Sequence, residues 1–72
     1  MLEKCLNKLT LLQRDLFERT YKSHLATMGI AMREQHSLEN IKTVKWDKKE
    51  SCLKVYFNHG EWFHYYSNGS WG

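Results

Sequence analysis

IKTVKWDKKESCLKVYFNHGEWFHYYSNGSW, residues 41–71, decides the fold. It reads as a three-stranded antiparallel meander: IKTVKWD, a charged turn, CLKVYF, the loop NHG, then EWFHYYS and a closing NGSW. All three tryptophans, three of the four tyrosines and two of the three phenylalanines lie in this stretch, so the core and any binding surface must both draw on it.

The central hairpin sets which aromatics are free. Asn58, His59 and Gly60 suit a three-residue loop with Gly60 in the left-handed conformation, a G1-bulge arrangement. Phe57 then faces Glu61, Val55 faces Phe63 and Leu53 faces Tyr65, while Lys54, Tyr56, Trp62, His64 and Tyr66 point to the other side. A two-residue loop at His59-Gly60 would instead pair Phe57 with Trp62 and turn Trp62, His64 and Tyr66 inward. The first register is preferred because it groups Phe63 with Leu53, Val55 and Phe57. Further on, Ser67-Asn68-Gly69-Ser70 carries the Asn-Gly pair of a type I′ hairpin, after which Trp71 either folds over the sheet or adds one rung to its edge.

Upstream, Leu2, Cys5, Leu6, Leu9, Leu12, Leu16, Tyr21, Leu25 and Met28 recur at helical steps, with Lys4, Lys8, Arg14, Glu18 and Lys22 between them. Thr10 followed by Gln13 has capping-box spacing and puts a break or kink near Thr10. Good helix formers after Gly29 extend the helix to about Gln35, with Gly29 marking a close approach to a neighbour. His36 to Asn40 is the connector. The expected fold is α+β, a single domain over 1–72: an N-terminal helical region, 1–35, kinked or split near Thr10, packed on a three-stranded antiparallel β-meander, 41–71. Leu9, Leu12, Leu16, Leu25, Val44, Leu53, Val55, Phe57, Phe63 and Tyr65 form its expected core.

Leu9, Leu11, Leu12, Leu16 and Phe17 spread over more than one stripe, whereas a three-stranded sheet offers one inner face. A domain of this size buries only about 60% of the surface of its unfolded chain, so a partner would help it. Self-association through the helix, as a homodimer, is the expected solution. Cys5 and Cys52 lie in different elements without metal-type spacing, which predicts reduced thiols. No secretory pattern or membrane-length apolar run is present, so the expected compartment is the cytoplasm and no membrane partner is implied.

Chemistry is thinly represented. His59 and His64 flank Glu61 at a spacing that throws two strand residues to opposite faces, and no third ligand is evident, so neither a metal nor another cofactor is expected. His24 and His36 read as solvent-facing or capping residues. Cys52, Ser67 and Ser70 lack an evident base and orienting group, which predicts a non-enzyme. The outward set Tyr56, Trp62, His64, Tyr66 and Trp71, with Lys54 and the neighbouring Lys42 and Lys45, is the expected binding surface. It suits a protein partner, since Trp and Tyr are common anchors. The alternative is weak or non-specific single-stranded nucleic-acid binding, with Tyr56, Trp62 and Tyr66 stacking on bases and lysines on phosphates. Charge favours the protein: residues 1–35 carry six basic and four acidic side chains and residues 36–72 five and four, so no half is strongly basic.

The spacing Leu53-x-Val55-x-Phe57-x-x-Gly60-x-x-Phe63-x-Tyr65 resembles that of small β-meander domains such as the KTSC type, although the motif that names that family is absent. The resemblance implies the meander and no function. A proline-free, leucine-rich helix with an aromatic meander also resembles many small phage or mobile-element proteins, some of which clamp a host protein. The expectation is therefore a small protein-binding module, a phage-like modulator of a host protein.

Overall fold

The computed structural model describes residues 2–72 and is α+β, with helices packed on one face of a three-stranded antiparallel sheet. The chain runs α1 (Leu2–Asn7), α2 (Leu11–Ala26), α3 (Ile30–Gln35), a 3-10 turn (Leu38–Asn40), β1 (Ile41–Asp47), β2 (Cys52–Phe57) and β3 (Trp62–Tyr66). The strands lie in the order β1-β2-β3.

The helical region splits where its caps dictate. Thr10 is extended and caps α2 with a complete capping box: its hydroxyl accepts from the Gln13 amide at 3.1 Å and the Gln13 side chain accepts from the Thr10 amide at 3.0 Å. Such a cap stabilises a helix start by about 1 kcal/mol. The helix does not run on to Gln35 as expected. It stops at Ala26, where the Thr27 hydroxyl donates to the His24 carbonyl at 2.7 Å and the Arg33 Nε donates to the Leu25 and Met28 carbonyls at 3.0 and 3.1 Å. Gly29 is the N-cap of α3, and open space surrounds the place where its side chain would be, so it marks a restart and not a close approach.

The central loop takes the three-residue form. The Phe57 amide donates to the Glu61 carbonyl at 2.9 Å, Gly60 has φ +99°, and Val55 pairs with Phe63 and Leu53 with Tyr65. The following loop repeats this geometry and is not the expected type I′ turn. The Tyr66 amide donates to the Ser70 carbonyl at 2.8 Å, and of the Asn-Gly pair only Gly69 has positive φ, because three residues rather than two span the turn. Trp71 then pairs with Tyr65 and adds a rung to β3. At the other edge β1 has a register shift between Ile41 and Thr43, which keeps Ile41 opposite Phe57 and Val44 opposite Val55 on the inner face.

The core consists of Leu6, Leu16, Phe17, Tyr21, Ile41, Val44, Leu53, Val55, Phe57 and Tyr65, with Leu9, Leu25 and Phe63 partly buried against it. On α2, Leu16, Phe17, Thr20, Tyr21 and His24 form the buried stripe. Leu12 shares that stripe by spacing but, in the first turn of α2, is 83% exposed; it therefore leaves the expected core.

Both helix-region histidines are interior, contrary to the solvent-facing reading. His24 is 5% exposed, and its Nδ1 lies 2.9 Å from the Tyr65 hydroxyl; His36 is fully buried, with Nδ1 donating to the Met32 carbonyl at 2.8 Å. The Tyr21 hydroxyl donates to the His36 carbonyl. A histidine can fill a core position when its ring nitrogens find partners: both do so in His36, and Nδ1 does so in His24.

Gly60→Val should cost more than about 1 kcal/mol in thermal unfolding, since a β-branched residue is strained at this φ. His24 supplies a second prediction. Burial, with a smaller contribution from the facing His36, lowers its pKa, while Glu61 opposes the shift. The unfolded chain therefore takes up a proton more readily than the folded one, so His24 contributes stability above about pH 6.5 that is lost on acidification through its lower folded pKa. The urea midpoint should fall between about pH 7.5 and about pH 5.5, with a histidine ring titrating below the normal range by NMR. A flat midpoint and normal titration of every histidine would refute the assignment.

Candidate functional site

The outward face of β2 and β3 carries Lys54, Tyr56, Trp62, His64 and Tyr66, aligned by the pairs Tyr56 with Trp62 and Lys54 with His64. Strand alternation puts them there, because the loop register sends Leu53, Val55, Phe63 and Tyr65 inward. Trp62 and Tyr66 are 46% and 38% exposed, and Tyr56, His64 and Lys54 are half-buried.

These rings form one continuous ladder. Tyr56 stacks on Trp62 with centroids 5.5 Å apart and planes 18° from parallel, Trp62 lies 4.9 Å from His64, and His64 stacks on Tyr66 at 5.6 Å and 4°. The Lys54 ammonium sits 5.8 Å from the centroid of Trp62. Ring faces thus meet in the outer two pairs, and Trp62 is tilted 55° to His64 between them, contacts that adjacent side chains on a pleated surface favour.

Acidic residues unnoticed in the sequence pattern balance the cations. Lys54 Nζ bonds Asp47 Oδ2 at 2.8 Å and lies 4.0 Å from Glu50 Oε2, while His64 Nε2 is 3.1 Å from the same Glu50 oxygen. The Lys54 bond holds the Asp47 carboxyl below its usual range, and Asp47 in turn raises Lys54. Two backbone amides, of Lys49 and Glu50, also donate to Asp47 Oδ1 and fix it in the turn. Lys42 and Lys45 stand exposed on β1. Cys52 shares the outer face by register but is covered, and burial pushes its thiol up.

Trp71 does not join this surface. It pairs with Tyr65, whose side chain is inward, and its ring stacks on His24 at 5.0 Å and 30°. Of the expected binding set, the structure therefore brings together Lys54, Tyr56, Trp62, His64 and Tyr66 and places Trp71 on the opposite side. The turn also gathers a group that sequence spacing missed: Glu61 accepts from His59 Nε2 at 2.9 Å and from His36 Nε2 at 2.7 Å. His36 comes from the connector, so no local motif announces it.

Compared with known proteins, the chain matches no family model, no curated protein and no solved structure. No helix among the described residues is long and apolar enough to cross a membrane.

Trp62 rests on the sheet without entering the core. Trp62→Ala should leave unfolding cooperative with a loss of about 1 kcal/mol, the size of its cross-strand stacking. Loss of the cooperative transition in a circular-dichroism melt would show that the ladder holds the fold together.

Proposed function

We propose that the chain is a small non-enzymatic protein-binding module that engages a partner through the aromatic ladder of its outer sheet face and self-associates through α2. The observation that carries this reading is the ladder's own stacking. A nucleic-acid platform needs ring faces open to bases and cations open to phosphates. Here Tyr56 stacks on Trp62 and His64 stacks on Tyr66, so that these faces are taken up by neighbouring rings, and Lys54 is paired with Asp47. What remains is a ridge of packed rings, with Trp62 tilted 55° to His64, and a polar border, which suits a protein surface because little side-chain freedom is lost on docking.

The self-association half rests on the exposed leucines in the first turn of α2. Leu11 and Leu12 are 86% and 83% exposed, and beside them Leu12, Gln13, Leu16, Arg19, Trp46 and Ser67 line an open groove of about 230 Å³. A second copy would cover this apolar end symmetrically. In the phage-like setting suggested by the sequence, the partner of the ladder is a host protein.

Two experiments test the two halves. Light scattering should give twice the chain mass for the wild type and the monomer mass for Leu11→Glu/Leu12→Glu; a monomeric wild type overturns self-association. Photocrosslinking from position 56 or 66 in host extract should yield one dominant protein adduct, which must then bind the purified chain and lose that binding in Trp62→Ala. If labelled single-stranded DNA or RNA instead binds in a filter assay, weakening steeply between about 50 and about 200 mM salt, the nucleic-acid reading replaces this one.

A further inference from the structure

We infer that His36, His59 and Glu61 form a binding site for a divalent transition-metal ion of the zinc class. Their ligating atoms, two imidazole nitrogens and a carboxylate oxygen, all lie within 4.8 Å of one another. They come from three places the fold draws together: the connector after α3, the tip of the central loop and the residue that closes it. This site is distinct from the aromatic ladder and does not depend on its function.

His36 is built as a metal-ligating histidine is. Its ring is fully buried, packed edge-on against Phe57 at 4.8 Å, and its Nδ1 donates to the Met32 carbonyl at 2.8 Å. A carbonyl can only accept, so Nδ1 keeps its proton and Nε2 is the atom presented to the cluster. Ligating imidazoles are held in this way, with the second nitrogen bonded to a backbone carbonyl or carboxylate that fixes tautomer and orientation. His59 is the outer counterpart, exposed at the loop tip with its ring stacked on Phe57 at 5.7 Å.

In the structure Glu61 Oε1 is 2.7 Å from His36 Nε2 and 2.9 Å from His59 Nε2. Donors about 2.0 to 2.1 Å from a tetrahedral ion sit about 3.3 Å apart, so coordination requires this cluster to open by about half an ångström. The exposed side chains of His59 and Glu61 allow that movement. Coordination uses the Nε2 lone pair of each imidazole, so any proton on these atoms in the metal-free chain is released to solvent or, in His59, moves to Nδ1. Two nitrogens and one oxygen select zinc, cobalt, nickel or ferrous ions over magnesium or calcium, which prefer all-oxygen sites. With three protein donors a further position stays open, next to a cleft of about 580 Å³ lined by Gln35, Asn40, Asn58 and His59.

A second grouping, Glu50, Cys52 and His64, has ligating atoms equally close, but its thiol is buried and pushed up, and Glu50 already faces Lys54 and His64. The experiment must therefore tell the two apart. Metal-free wild type is titrated with zinc chloride by calorimetry and with cobalt chloride by absorption. The parallel variants are His59→Ala, Glu61→Gln, His64→Ala and Cys52→Ser, each checked for a native circular-dichroism spectrum. His36 is left unaltered because it fills the core. The expected result is one equivalent of zinc with a raised melting temperature and cobalt d–d bands without a thiolate charge-transfer band. Affinity should fall by about a hundredfold in His59→Ala and Glu61→Gln and stay unchanged in His64→Ala and Cys52→Ser. Absence of binding, or affinity unaffected by His59→Ala and Glu61→Gln, would overturn the site and leave the cluster a hydrogen-bonded lock. Loss of binding in Cys52→Ser with a thiolate band would move the metal to the other grouping.

Discussion

Buried polar side chains of α2, the connector after α3 and β3 are hydrogen-bonded across the helix–sheet contact, and the rest of the architecture is arranged around them. Tyr65 is fully buried at the centre of β3, and its hydroxyl finds His24 on α2. Tyr21, one turn earlier on the same helix, donates to the carbonyl of His36, and the His36 ring bonds Met32 on one side and Glu61 on the other. An unpaired polar group in such an interior would cost about 1 to 3 kcal/mol. The hydrophobic stripe of Leu16, Phe17 and Tyr21 brings helix and sheet together without direction. The hydrogen bonds choose which rotation and translation of α2 is the native one.

The two faces of the sheet divide the remaining work. Inward residues of β2 and β3 belong to this core, including Trp71, which the last rung delivers to His24. Outward residues are aromatic and polar, yet they too are ordered, because each ring leans on the next and the charges are paired through Asp47 and Glu50. A surface so packed would lose little freedom on binding the partner proposed above. The first turn of α2 is different in kind: Leu11 and Leu12 lie on different sides of the helix, and both are exposed.

How far the sequence could be read follows from the range of the interactions. The loop register was legible because Gly60 and the alternation of Leu53, Val55 and Phe57 are local features, and the break at Thr10 was legible because a capping box spans only four residues. The stop at Ala26 was not, since it depends on Arg33 reaching back to two carbonyls. Leu12 obeyed the helical spacing, and only the placement of α2 on the sheet decides that it is uncovered. His36 does cap α3, as one of the two expected roles had it, but the burial of His24 and His36 was not legible, because a polar side chain reads as exposed unless its partners are known, and theirs lie on other elements. The same distance hid the grouping of His36 with His59 and Glu61.

The positions of the three tryptophans have an optical consequence. Trp71 stacks on His24 at the helix–sheet contact, Trp46 lines the groove under the first turn of α2, and Trp62 lies on the outer ladder over Lys54. Each indole therefore has a different environment: the helix–sheet contact, the groove beside α2 and the sheet's outer face. Chains that keep a single tryptophan would turn intrinsic fluorescence into three separate channels, so that folding and any change at either surface could be followed independently without any attached dye.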